Sequence, residues 1–154
     1  MIRRFLPGFK TCCLIVCFLY VTMAGSLFVK GLMTSMIDFQ VPTQTLNSLH
    51  YYDALLWVYS HMIVLGLVIG LVGWFAKDSL LKKWMARLLL LVHIYYTYLD
   101  FRTSDSFLGN GLYKGAGSVI PGLVCLLVAL LFFQLVLVGE PSPAKAASTS
   151  LQAT

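Results

Sequence analysis

The chain has 154 residues, of which 59% are hydrophobic and only 11% are charged, and its formal net charge is +5. Average soluble proteins carry roughly 25% charged residues, and a chain with so few lacks the polar side chains that cover a surface in water. This composition excludes a disordered chain, a nucleic-acid-binding protein built on basic patches, and a water-soluble globule. It indicates an integral membrane protein with one small domain.

Four apolar segments are long enough to cross a membrane as helices. A hydrocarbon core about 30 Å thick requires roughly 20 apolar residues per helical crossing. The segments cover residues 12–29, 54–76, 81–99 and 119–138. They are rich in Leu, Ile, Val and Phe, and they lack the alternating pattern of membrane-barrel strands. The sequence therefore predicts an all-α membrane domain over residues 1–138, a four-helix bundle made of two antiparallel hairpins.

The segment after the last span, residues 139–154, has a different composition. It is rich in Pro, Ala, Ser and Thr and has few large apolar side chains. Such a segment buries too little apolar surface to offset the entropy lost on ordering. We expect a disordered cytoplasmic tail.

The distribution of Lys and Arg predicts the orientation of the spans. Eight basic residues lie before the first span, around the turn between the second and third spans, or in the tail: Arg3, Arg4, Lys10, Lys77, Lys82, Lys83, Arg87 and Lys145. Three lie on the opposite side: Lys30, Arg102 and Lys114. Both termini are therefore expected in the cytoplasm, with residues 30–53 and 100–118 outside a bacterial-type inner (plasma) membrane.

The N-terminal segment allows a second interpretation. Arg3 and Arg4, followed by an apolar stretch and then by Ala24, Gly25 and Ser26, also fit a cleavable signal peptide. Cleavage near that point would leave three spans and an external N-terminus. We expect the segment to be retained as the first helix.

Two histidines, His61 and His93, are predicted to lie at the same depth. Each is about seven residues from the outer end of its span, which places both ~10 Å below the outer surface. Equal depth on neighbouring helices suits haem b with two histidine ligands, or a quinone or proton site. The alternative is two neutral histidines, each hydrogen-bonded within the bundle. Two histidines alone make an incomplete zinc site, so no metal site is expected.

The segment 100–118, between the third and fourth spans, concentrates polar residues. It contains Asp100, Arg102, Asp105, Asn110 and Lys114. Charges of both signs and paired glycines predict an ordered outer loop, pinned by an ion pair between Arg102 and Asp100 or Asp105. The functional alternative is a binding site for a polar headgroup, a small anion or a partner protein.

Small residues on the second span predict a close helix contact. Gly66, Gly70 and Gly73 form a stripe roughly opposite His61. We expect this stripe to pack within the bundle rather than to form a homodimer. The expected partner is a patch of small residues on the first span: Thr22, Gly25 and Ser26.

Other residues have simpler interpretations. Ser118 is expected to cap the fourth span, with Pro121 in its first turn. The four cysteines are interpreted as small hydrophobic side chains: Cys12, Cys13, Cys17 and Cys125.

These patterns leave three hypotheses for function. The first is a non-catalytic accessory, assembly or interaction subunit acting through loop 100–118, with a membrane protein or a second copy as partner. The second is a redox or proton-handling protein that uses His61 and His93. The third is a small transporter or channel, which would need oligomerisation because the spans carry few polar residues. We favour the first, expect no catalytic residues and no nucleic-acid partner, and look for function in the outer third of the bundle.

Overall fold

A computed structural model describes residues 7–139, so Arg3, Arg4 and nearly all of the predicted tail lie outside the described residues. Within that range the chain is all helical and contains no strand. The elements in chain order are α1 (Phe9–Lys30), α2 (Leu32–Asp38), α3 (Thr43–Leu46), α4 (Leu49–Phe75), α5 (Ser79–Thr103), a short 3-10 helix (Ala116–Val119) and α6 (Ile120–Val138).

Three helices are long and apolar enough to cross a membrane: α1, α4, and α6 together with the preceding turn, over Gly117–Val138. Three such helices indicate an integral membrane protein. α5 is also long, with 25 residues, but it is less apolar. It carries Lys82, Lys83 and Arg87 near its start and Asp100 near its end.

The helices extend beyond the predicted apolar segments. α4 begins at Leu49, five residues before the predicted start, and α5 continues to Thr103. A hydropathy pattern ends at the first polar residues, whereas backbone hydrogen bonding continues through them. Residues 30–53 are therefore not an extended connection: α2 and α3 lie there, and Leu32, Met36 and Val41 are buried against Leu55 of α4.

The long helices pack as two pairs joined through α1. Contacts are most extensive between α1 and α4 and between α5 and α6, and α1 also contacts α6. The main core is centred on α1, with Cys12, Cys13 and Val16 buried together with Val128 and Phe132 of α6. Direct contact of α4 with α5 or α6 is sparse. This leaves a gap between α4 and the α5–α6 pair.

The glycine stripe of α4 packs directly on α1. A Cβ atom added at Gly66 would lie 2.8 Å from Tyr20 Cβ, one at Gly70 would lie 2.8 Å from Cys17 Sγ, and one at Gly73 would lie 2.3 Å from Cys13 Cβ. Only residues without side chains allow this approach. Because the α4 partner number rises as the α1 number falls, the two helices run in opposite directions.

The face of α1 that meets this stripe differs from the expected one. The contact uses Cys13, Cys17 and Tyr20, which share one helical stripe. A Cβ atom at Gly25 would meet nothing within 4 Å among the described residues. Thr22 and Ser26 are exposed, and their hydroxyls donate to α1 backbone carbonyls. The small-residue patch therefore lies outside the contact, because the helix presents the cysteine face instead.

Candidate functional site

A cavity of about 740 Å³ occupies the gap between α4 and the α5–α6 pair. Tyr20 and Met23 of α1 also line it. Its walls are mostly aliphatic and aromatic, and its volume lies within the roughly 300–1,000 Å³ of small-molecule sites. The cavity exists because the glycine stripe draws α4 onto α1 and leaves the opposite face of α4 without a helix partner.

Asp100 of α5 and Cys125 of α6 line one end of the cavity, while His61 lies in the middle of α4. Asp100 lies three residues before the end of α5, and Pro121 lies in the first turn of α6. The part of the wall formed by Val64, Leu65 and Val68, in the middle of α4, is wholly apolar. A carboxyl group toward one end and an aliphatic wall match the shape of an amphipathic molecule.

His61 lies on the cavity wall and is exposed. Its Nδ1 lies 2.8 Å from the carbonyl oxygen of Trp57, and its ring stacks on the Trp57 indole at a centroid distance of 3.9 Å. Because a carbonyl oxygen only accepts hydrogen bonds, Nδ1 of His61 donates and its Nε2 is the acceptor. His61 thus offers an acceptor nitrogen to a ligand.

His93 is fully buried and is not part of the cavity wall. Its Nδ1 donates to the carbonyl oxygen of Leu89 at 2.6 Å, and its Nε2 accepts from the Tyr20 hydroxyl at 2.8 Å. Its ring also stacks on the Phe132 ring of α6, at a centroid distance of 6.0 Å. Both nitrogens of a neutral histidine are therefore engaged.

The structure does not bring His61 and His93 to a shared site. Tyr20 lines the cavity and binds His93, so it lies between His93 and the space that His61 faces. Haem b with two histidine ligands needs an open nitrogen from each, and His93 offers none. These residues therefore do not fit that cofactor. Within residues 7–139, no group of three His, Cys, Asp or Glu side chains could hold a metal ion.

Asp100 is half-buried in the cavity wall. The Cys125 thiol of α6 lines the same cavity. Among the described residues, no cationic side chain forms an ion pair with Asp100. Arg102 points elsewhere, with its Nη1 3.5 Å from the Tyr98 hydroxyl.

The loop after α5 is pinned by backbone hydrogen bonds rather than by the predicted ion pair. The N–H groups of Asn110 and Tyr113 donate to the carbonyls of Arg102 and Thr103, at 2.8 and 2.9 Å. The last carbonyls of a helix lack intrahelical partners, and here the returning loop satisfies them. In the described part of the chain, Arg102 pairs with neither Asp100 nor Asp105. This corrects the expectation that charge holds the loop.

Other predicted loop residues also act locally. One Asp105 carboxylate oxygen accepts from the N–H of Gly115 at 3.3 Å, and Asn110 Oδ1 accepts from Leu112 at 3.1 Å. The N–H of Lys114 donates to the carbonyl of Phe39 at 3.0 Å, which ties the loop to the end of α2. None of these three side chains lines the cavity.

Ser118 does not cap α6, contrary to expectation. Its hydroxyl donates to the carbonyl of Gly115 at 2.8 Å and accepts from the N–H of Asp105 at 3.0 Å. The N-terminus of α6 has no side-chain cap, and Pro121 lies in its first turn as predicted. Ser118 lies within the 3-10 helix, and Val119 occupies the N-cap position of α6 instead.

The sequence analysis did not identify three residues of the cavity wall as part of a site: Tyr20, Tyr96 and Cys125. Tyr20 carried a usable signal, since a phenol in the middle of an apolar span needs a hydrogen-bond partner at its own depth. Cys125 gave no signal, because a thiol in an apolar helix is ordinarily a small hydrophobic side chain.

Comparison of the chain with protein-family models, curated proteins and solved structures finds no match.

Proposed function

We propose that this chain is a small integral membrane protein that binds a lipid-soluble, amphipathic ligand in the crevice between α4 and the α5–α6 pair. The observation that carries the proposal is the 740 Å³ cavity, which has the Asp100 carboxyl group toward one end and an aliphatic wall formed by Val64, Leu65 and Val68. Its volume suits a headgroup with part of a chain. A quinone is one molecule of this kind, and the His61 Nε2 acceptor would suit its reduced hydroxyl group.

The proposed orientation places the polar end of the crevice in the outer leaflet. We take α5 as a fourth span, because it lies along α6 and its basic residues near one end can reach the interface. Lys77, Lys82 and Lys83 then face the cytoplasm, while Arg102 and Lys114 lie outside. Both termini are cytoplasmic in this arrangement, and the membrane is a bacterial-type plasma membrane.

Access from the lipid phase follows from the exposure of the α4 wall. Trp57 is 65% exposed and Val64 is 58% exposed, although both line the cavity. In a membrane these surfaces face lipid, so an amphiphile can enter sideways from the outer leaflet without passing through water.

A second candidate function is an accessory or interaction subunit that docks through loop 100–118. The exposed apolar tip of the loop favours this function. The loop is held by the backbone bonds described above, yet Phe107 is 96% exposed and Leu108 is 63% exposed at its tip. A rigid loop with an apolar tip suits contact with a membrane-protein partner or a second copy. The two proposals concern different surfaces and are compatible.

The test of the ligand proposal is to identify what co-purifies in a mild neutral detergent. Val124→Trp would fill the crevice, and Leu127→Trp places the same side chain at an exposed α6 position outside it. We expect one class of amphiphile near one molecule per chain in organic extracts of wild type and Leu127→Trp, and a strong loss in Val124→Trp.

Equal extracts from all three proteins would contradict the proposal. Circular dichroism and the thermal transition of each variant establish that it folds. The visible spectrum of the same preparations tests the redox version, since a bound haem would give a Soret band and the engaged nitrogens of His93 predict none.

A further inference from the structure

We propose that the crevice selects an amphiphile with a cationic, substituted-ammonium headgroup, bound by Asp100 together with the aromatic side chains of Trp57 and Tyr96. This inference rests on the proposed function, because the ligand occupies the same crevice. It adds the chemical class of the headgroup, which the shape of the cavity alone does not determine.

The charge of Asp100 favours a cationic headgroup. Asp100 is half-buried in an apolar wall, and the ionisable groups that share the cavity with it are His61, Cys125, Tyr20 and Tyr96. None of these is a permanent cation, and no ion pair to Asp100 forms in the described part of the chain. A carboxylate held in apolar surroundings is costly unless an opposite charge accompanies it. A cationic headgroup would supply that charge, whereas an anionic one would be repelled.

The aromatic rings of the cavity wall also favour a cation. Trp57 belongs to α4 and Tyr96 to α5, so two rings line the cavity from different helices, whereas Tyr20 is buried against His93. Cations are attracted to the faces of aromatic rings, and several rings around one volume are the usual means of binding substituted ammonium groups. Neutral or anionic headgroups gain nothing comparable.

The aliphatic wall of the crevice suits the hydrocarbon tail of the ligand. Val64, Leu65 and Val68 extend the crevice toward the middle of α4 and offer no polar group. An alkyl or isoprenoid chain would lie along this wall with its headgroup beside Asp100. The ligand would then be oriented like a lipid of the outer leaflet.

The test uses two probes with identical brominated tails, one with a trimethylammonium head and one with its neutral tert-butyl isostere. Trp57 is made the only tryptophan by Trp74→Phe and Trp84→Phe, and bromine quenches its fluorescence on contact. A protein with Trp84 alone measures partition into the neutral-detergent micelle, because Trp84 is exposed and outside the crevice. We expect the cation to quench Trp57 saturably at about tenfold lower concentration than the isostere.

Asp100→Asn should remove the preference for the cation, and Asp100→Glu should retain part of it. Equal midpoints for the two probes in wild type, or a preference unchanged in Asp100→Asn, would overturn the inference while the crevice still binds amphiphiles. Quenching of Trp57 that is no stronger than that of Trp84 for either probe would overturn the proposed function itself. If Asp100→Asn fails to fold, the comparison of probes in wild type and Asp100→Glu still decides.

Discussion

The Tyr20 hydroxyl donates a hydrogen bond of 2.8 Å to Nε2 of His93 and so joins α1 to α5. The backbones of these two helices otherwise approach at few points. Tyr20 also lines the crevice and packs against Gly66. One phenol therefore connects the α1–α4 contact, the buried histidine and the proposed ligand site.

Tyr20→Phe should destabilise the protein by about 1 kcal/mol, because it leaves Nε2 of a fully buried histidine without a donor. Denaturation of the purified protein in mixed micelles measures the effect. Tyr98→Phe is the matched control, since Tyr98 is exposed and its hydroxyl contacts only Arg102 at 3.5 Å among the described residues. Equal losses in the two variants would contradict the assignment.

Gly73→Ala should destabilise the fold by about 1–3 kcal/mol, because the new Cβ would lie 2.3 Å from Cys13 Cβ. Gly25→Ala is the matched control inside α1, where nothing described lies within 4 Å of the added atom. That change should be neutral or stabilising by up to ~1 kcal/mol, since alanine favours helix. The same unfolding assay compares them, and a destabilising Gly25→Ala would place the contact on the small-residue patch after all.

The α1–α4 contact could be predicted only in part from the sequence. Spacing alone predicted that Gly66, Gly70 and Gly73 share a face, and it named α1 as the partner. It did not give the face of α1, because helical periodicity defines faces but not which of them meet. Cys13 and Cys17 are uncharged and were interpreted only as small hydrophobic side chains, so nothing marked them as contact residues. The Tyr20–His93 hydrogen bond could not be predicted for the same reason, because it depends on which face of α1 meets α5.

Arg102→Gln should change stability by no more than ~0.5 kcal/mol, because Arg102 makes no ion pair in the described part of the chain. Ser118→Ala should cost about 1 kcal/mol, because it removes the acceptor for the N–H of Asp105. Limited proteolysis of the loop provides a second readout, with faster cleavage expected only for Ser118→Ala. Faster cleavage of Arg102→Gln would restore the ion-pair account.

That account failed for a physical reason. Charges are visible in a sequence, so Arg102 and its acidic neighbours drew attention. Backbone hydrogen bonds between distant residues cannot be read from a sequence. The bonds from Asn110 and Tyr113 to the end of α5 form only because the loop folds back onto the helix. The order of the loop could be predicted, but its cause could not.

The proposed topology predicts opposite labelling at the two ends of the molecule. In intact cells, Phe107→Cys should react with a membrane-impermeant maleimide, because the side chain it replaces is 96% exposed at the loop tip. Leu80→Cys, at the start of α5, should react only after permeabilisation. Wild-type protein reports the background from the native cysteines, which are buried or half-buried. The reverse pattern would place both termini outside.

The most direct measurement of the central claim is where a ligand touches the protein. An amphiphile with a photoreactive diazirine in its tail can be crosslinked in a neutral membrane, and the modified peptides can be mapped by mass spectrometry. The account predicts saturable adducts on residues 57–68 and 121–125, which line the crevice, and their loss in Val124→Trp. Adducts spread over exposed lipid-facing positions such as Leu91 and Leu130, with no saturable fraction at the crevice, would contradict it.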